Sequence, residues 1–119
     1  MPETIASLAS MIFGSKLKGS IESLGFEYKG SIGISGLLNA IDISKPIVII
    51  IDLNKEDIEI EETVKSIQSK TNSPIIAFCG HVETKKLAIA QSLGCHIATN
   101  GAISNSFDSV LKQVLSTNE

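Results

Sequence analysis

The chain has 119 residues, of which 43% are hydrophobic and 19% charged, with a net charge of −3 and a pI of about 5.3. That length and balance describe one domain with a single core and exclude a disordered chain. The acidic balance excludes the basic footprint of a nucleic-acid binder, and no apolar run is long enough to span a membrane as a helix.

Thr4 to Ala9 reads as a short strand of small residues. Phe13, Leu17, Ile21 and Leu24 then recur at helical spacing with lysines between them, and Gly25 is placed to end that helix. Phe26 to Lys29 alternates and is polar enough for an edge strand. Gly30 to Gly36 is rich in glycine and serine and reads as a loop, followed by a short helix through Ile34, Leu37, Leu38 and Ile41. The Gly30-x-x-Gly33-x-x-Gly36 spacing is not that of a dinucleotide fingerprint.

Pro46 opens the most informative stretch. Ile47-Val48-Ile49-Ile50-Ile51 is apolar, almost wholly β-branched and without polar alternation, and it runs directly into Asp52. Such a run predicts a strand buried on both faces at the centre of a parallel sheet. Ligands and chemistry in such sheets gather beyond the carboxyl ends of the strands, so Asp52 is the first functional candidate. Its bland alternative is an aspartate that accepts backbone N–H groups of the following loop.

Asn54 is placed to cap a helix that starts on the acidic run Glu56, Asp57, Glu59, Glu61 and Glu62, with Ile60, Val64 and Ile67 as its buried stripe. Ile75 to Cys79 is another apolar strand, Val82 to Leu93 a helix closed by Gly94, and Cys95 to Thr99 a last short strand. Phe107, Val110, Leu111, Val114 and Leu115 give the final helix. Strands alternating with helices imply a doubly wound α/β domain with a five-stranded parallel sheet. The order 2-1-3-4-5, the flavodoxin-like arrangement, puts Ile47–Ile51 in the centre and the polar strand at an edge.

Cys79, His81, Cys95 and His96 are metal-ligand types. Their spacing is that of no known zinc site, and the two pairs fall at opposite ends of parallel strands, so no metal is expected. Two cysteines do not make a disulfide framework, and no basic stretch precedes an apolar segment at the N-terminus; a reduced, cytoplasmic setting is the expectation. All ten basic residues are lysine, so no arginine fork is present for phosphate.

The strand ending Asp52-Leu53, the segment Pro74-Ile75-Ile76-Ala77-Phe78-Cys79-Gly80-His81, and Ala90-Gln91-Ser92-Leu93-Gly94-Cys95 together resemble the receiver domain of two-component response regulators, over nearly the whole chain as one domain, residues 1–119. The resemblance implies a phospho-acceptor at Asp52. It also implies that the family's magnesium-binding acidic pair falls on Ala9 and Ser10, the hydroxyl of the fourth strand on Cys79, the lysine of the fifth strand on Asn100, and the aromatic switch residue on Ile97. Of these, only Asp52 keeps the family's residue. Between Pro2 and Lys18 the sole acid is Glu3, so no shift of alignment restores a pair.

The expectation is therefore a degenerate receiver: not an enzyme, with no cofactor or metal, acting as a signalling module that binds a protein partner. Two alternatives stand beside it, a receiver still weakly phosphorylated on Asp52 in a phosphorelay, and a small-ligand or nucleotide binder in the sheet crevice. Family members often associate through one face of the fourth helix, fifth strand and fifth helix. Here that face would hold Lys85, Lys86, Ala90, Ile97, Asn105 and Lys112. Its lysines oppose a tight symmetric contact, so a monomer or weak homodimer is expected.

Overall fold

The computed structural model describes residues 2–55 and 58–117. Five strands, β1 (Thr4–Leu8), β2 (Glu27–Ser31), β3 (Val48–Asp52), β4 (Ile75–Cys79) and β5 (His96–Thr99), form one all-parallel sheet in the order β2-β1-β3-β4-β5. The doubly wound arrangement expected from the alternation is therefore the observed fold. Among the described residues no helix is long and apolar enough to cross a membrane.

The helices are α1 (Met11–Ser23), α2 (Ile34–Ser44), α3 (Ile60–Gln68), α4 (Thr84–Ser92), α5 (Asn100–Asn105) and α6 (Phe107–Thr117). The period of two along a strand sends alternate side chains of β3 into two separate cores. Ile49 and Ile51 join Leu37, Ile41, Val64 and Ile67 beneath α2, α3 and α4. Val48 and Ile50 join Leu17, Ile21, Phe107 and Leu111 beneath α1, α5 and α6. All four of these β3 residues are 0% exposed. Ile47 departs from expectation: it precedes the strand and is only partly buried.

Helix ends follow local chemistry. Ser10 caps α1, its hydroxyl accepting the Phe13 N–H at 3.5 Å, so the helix starts two residues before its apolar stripe. Gly25 and Gly94 take φ of +90° and +95° and end α1 and α4 as expected. At both ends the next residue's N–H returns to a carbonyl five residues back, Phe26 to Ile21 at 3.2 Å and Cys95 to Ala90 at 3.1 Å.

Three expectations need correction. Gly30 and Ser31 belong to β2, not to a loop. The Tyr28 ring, two residues earlier on the same face, lies across Gly30 while its hydroxyl hydrogen-bonds Ser7 Oγ at 2.6 Å; a Cβ on Gly30 would stand 2.7 Å from the Tyr28 oxygen. Asn54 does not cap α3, which begins at Ile60 with Glu59 in the cap position; Glu61 and Glu62 fall in its first turn, and Glu56 and Asp57 lie outside the described residues. Finally, α5 was not expected. The Thr99 hydroxyl accepts the Ala102 N–H at 3.1 Å, so the chain enters a helix directly from β5, and Ser106, with φ of −138°, separates it from α6.

Two outcomes follow. Gly30→Ala forces the Tyr28 ring off Ser7 and lowers unfolding free energy by about 1–2 kcal/mol, whereas Gly19→Ala, inside α1 with open space around it, raises it by about 0.5–1 kcal/mol; denaturant melts of both variants show the opposite signs. Burial beneath α4 pushes the Cys95 thiol from the ordinary 9.0 up to about 11. The unfolded thiol therefore ionises first as pH rises, and the stability this group contributes is full below pH 9 and lost as pH climbs to about 11. Its share is on the order of 2–3 kcal/mol, read as the difference between wild type and Cys95→Ala in melts taken across that interval.

Candidate functional site

Asp52 is the last residue of β3, 8% exposed, and it lies at the carboxyl ends of the strands as expected. Its two oxygens are held differently. Oδ1 accepts the Asn54 backbone N–H at 2.8 Å and the Asn54 side-chain amide at 2.6 Å. Oδ2 accepts the Ser10 backbone N–H at 3.2 Å. No ion pair involves Asp52 among the described residues. A carboxylate so placed is satisfied by neutral donors, with acceptor capacity left on Oδ2.

Asn54, read from sequence as a helix cap, is instead the hub of this end of the sheet. Besides Asp52 it engages Asn100 at the end of β5 in a reciprocal amide pair: Asn54 Nδ2 donates to Asn100 Oδ1 at 2.9 Å, and Asn100 Nδ2 donates to Asn54 Oδ1 at 3.1 Å. Three strand ends are thus tied by one continuous set of hydrogen bonds: β1 through Ser10, β3 through Asp52, and β5 through Asn100. An amide pair of this kind is legible only when strands far apart in sequence are known to end side by side.

Ala9 and Ser10 stand beside Asp52, where the resemblance put the acidic pair. Ala9 is nearly buried and Ser10 contributes its backbone N–H. Neither offers a carboxylate, and among the described residues no group of three or more His, Cys, Asp or Glu gathers to hold a metal. Positions 9 and 10 therefore supply none of the carboxylate ligands by which magnesium is usually held. Cys79 and His81 lie at the opposite end of the sheet from Cys95 and His96, since Cys79 pairs with Thr99 while His96 pairs with Ile76.

Cys79 ends β4, fully buried, with its thiol directed to the carbonyls of Gly80 at 3.6 Å and Glu83 at 3.9 Å. Burial pushes the thiol above its ordinary range; Lys86 opposes that shift, and the carboxylates of Glu83 and Asp52 add to it. Cys79 remains a neutral, weak donor at neutral pH.

The surface residues sort unevenly. Lys85, Asn105 and Lys112 are exposed, and Ile97 is 38% exposed. Ala90 is 0% exposed and packs in the core under α4, so it does not belong to that face. Lys86 also leaves it. Its ammonium reaches back over the strand ends and donates to the carbonyls of Leu53 at 2.8 Å and Lys55 at 3.0 Å. Lys86, expected on the association face, therefore lies at the strand ends, where it binds loop carbonyls and not Asp52. The sequence signal was its place in the first turn of α4, the turn nearest the strand ends in a parallel sheet.

A cleft of ≈ 510 Å³ opens between the loops that follow β1, β2 and β3, at the switch point of the sheet. Leu8, Ile32, Ile34 and Ile58 line its apolar side, and Asp52 and Glu59 bring carboxylates to it. Of the apolar members, Ile32 and Ile58 were not singled out from sequence, because they fall in loops where no periodicity marks them.

No protein-family model and no curated protein matches the chain. Its fold, however, is that of solved receiver domains. It superposes on the receiver domain of the TMAO respiratory response regulator TorR with a TM-score of 0.86 at 14% identity, covering 99% of this chain and 100% of that one. The receiver domain of NtrX from Brucella abortus gives 0.83 at 14% identity, over 97% and 99% of the two chains. The Vibrio cholerae chemotaxis protein CheY4 gives 0.78 at 19% identity, over 96% and 98%. The chain therefore has the receiver fold of response regulators.

Lys86 fastens the loop after β3 through charge-assisted bonds, each of the kind that contributes about 1.5–3 kcal/mol. Lys86→Met keeps the aliphatic stem and removes both. Amide exchange at Leu53 and Lys55 then quickens severalfold while exchange in β3 stays unchanged, as hydrogen-exchange mass spectrometry or NMR reads directly.

Proposed function

We propose that the protein is a member of the receiver family that has lost phosphorylation chemistry and serves as a non-catalytic signalling module, binding a protein partner in the cytoplasm as a monomer or weak homodimer. The observation that carries this reading is the setting of Asp52. Its carboxylate accepts only from Ser10 and Asn54 among the described residues, and the positions before α1 hold alanine and serine. Phosphoryl transfer depends on neutralising charge on the equatorial oxygens. With alanine and serine where the acidic pair would stand, and with Asn100 already paired to Asn54, that neutralisation has no source at the ends of β1 and β5.

The partner face in this reading is the remaining exposed set of Lys85, Ile97, Asn105 and Lys112, an apolar residue among lysines and an amide that suits an acidic partner surface. A second reading, weak phosphorylation of Asp52 in a phosphorelay, has one observation on its side: the Lys86 ammonium is held on the carbonyl of the residue next to Asp52.

The test adds magnesium with beryllofluoride, or with a small phosphodonor, to the isolated protein. The amides of Ser10, Leu53, Cys79 and Asn100 keep their NMR positions, and the intact mass does not change. A stoichiometric gain of one phosphoryl group that Asp52→Asn abolishes overturns the proposal in favour of the phosphorelay reading.

A further inference from the structure

We propose that the cleft beside Asp52 is a binding site for a small molecule with an apolar body and a protonated amine head, the amine donating to Asp52 Oδ2.

Size and position come first. At ≈ 510 Å³ the cleft is within the range that encloses small ligands, and it sits at the β1/β3 switch point, where sheets of this order receive theirs. Its apolar side is unusually open to water. Ile32 is 82% exposed and Ile34 37% exposed, and both lie on the lip of the cleft. Covering these side chains with an apolar body removes from water surface that the chain itself leaves bare.

Charge sets the head group. Asp52 is more than nine-tenths buried, and its Oδ2 receives, among the described residues, only the long bond from Ser10 N–H. Glu59 brings a second carboxylate to the lining, against the single ammonium of Lys55. Lys86, the other cation nearby, is committed to the carbonyls of Leu53 and Lys55. Among the described residues the lining therefore carries one carboxylate in excess, and the buried one has acceptor capacity left on Oδ2. A cationic donor meets both conditions; a carboxylate or phosphate meets neither, because it would face Asp52 with no arginine in the chain to offset the repulsion. The small neutral side chain of Ala9, beside Asp52, leaves room for such a ligand to approach.

Gly33 supplies an independent handle. It lines the cleft in extended backbone with φ of −132°, which any residue adopts, and a Cβ there meets nothing within 4 Å. A side chain can therefore start from Gly33 without its Cβ striking the fold, and Gly33→Phe is the variant that sets a bulky ring at the cleft wall.

The experiment titrates butylamine, hexylamine, hexanol and hexanoate into the isotope-labelled protein, following amides by NMR. Hexylamine is expected to shift Ser10, Ile32, Gly33 and Leu53 saturably and to bind severalfold more tightly than butylamine, as added methylenes meet the isoleucines. Hexanol and hexanoate bind at least tenfold more weakly. Asp52→Asn removes the preference for amine over alcohol, and Gly33→Phe abolishes binding by all four probes while the melting temperature stays near wild type. Equal affinity for hexylamine and hexanoate, no saturation across the millimolar range, or shifts that survive Gly33→Phe each overturn the proposal. The outcome is separate from the phosphorylation test: failure here leaves the non-phosphorylated signalling module standing, and phosphoryl uptake by Asp52 leaves the titration of unmodified protein to be read on its own.

Discussion

The structure depends on β3 being apolar on both faces. Four consecutive residues, Val48 to Ile51, are fully buried, two into each core, and a strand of that kind is stable only when helices cover both sides of the sheet. That requirement places α2, α3 and α4 on one face and α1, α5 and α6 on the other, and it fixes β3 between β1 and β4. It also fixes where polar chemistry is tolerated. With the strand interiors committed to packing, charged and hydrogen-bonding groups collect where the strands end, and Asp52 is the first residue of β3 free to be polar.

At that end the carboxylate is stabilised without a counter-charge. Backbone N–H groups of Ser10 and Asn54 and the Asn54 amide meet it, and the Asn54–Asn100 pair carries the network across to β5. A buried carboxylate is costly unless hydrogen-bonded, and this set of neutral donors offsets that cost while leaving the group anionic in character toward the cleft. The Lys86 ammonium is spent on fastening the loop after β3. The result is a hydrogen-bonded strand end with a buried carboxylate, in a fold shared with the receiver domains of TorR and NtrX and with CheY4.

The same geometry links the proposed module to its cleft. The loops after β1, β2 and β3 meet only at the switch point, so the apolar lip of Ile32 and Ile34 and the Asp52 carboxylate face one volume. A ligand there would touch the Ser10 cap of α1 and the start of the β3–α3 loop together, and through Asn54 the end of β5.

The sequence alone determined the sheet, its parallel sense and order, the central place of Ile47–Ile51 bar its first residue, the ends of α1 and α4 at Gly25 and Gly94, and the strand-end position of Asp52. These rest on local signals, namely β-branched runs, helical periodicity and the positive φ that glycine permits, which act over a few neighbouring residues. What only the tertiary structure decided involves partners distant in sequence. Asn54 is a hub and not a cap because Asn100, 46 positions away, ends beside it. Lys86 leaves the surface for the carbonyl of Leu53, 33 positions away, and Ala90 belongs to the core because α4 presents it to the sheet. Gly30 is a strand residue because the Tyr28 ring needs its missing side chain to reach Ser7. The cleft exists because three loops, each without hydrophobic periodicity of its own, converge where the strand order reverses.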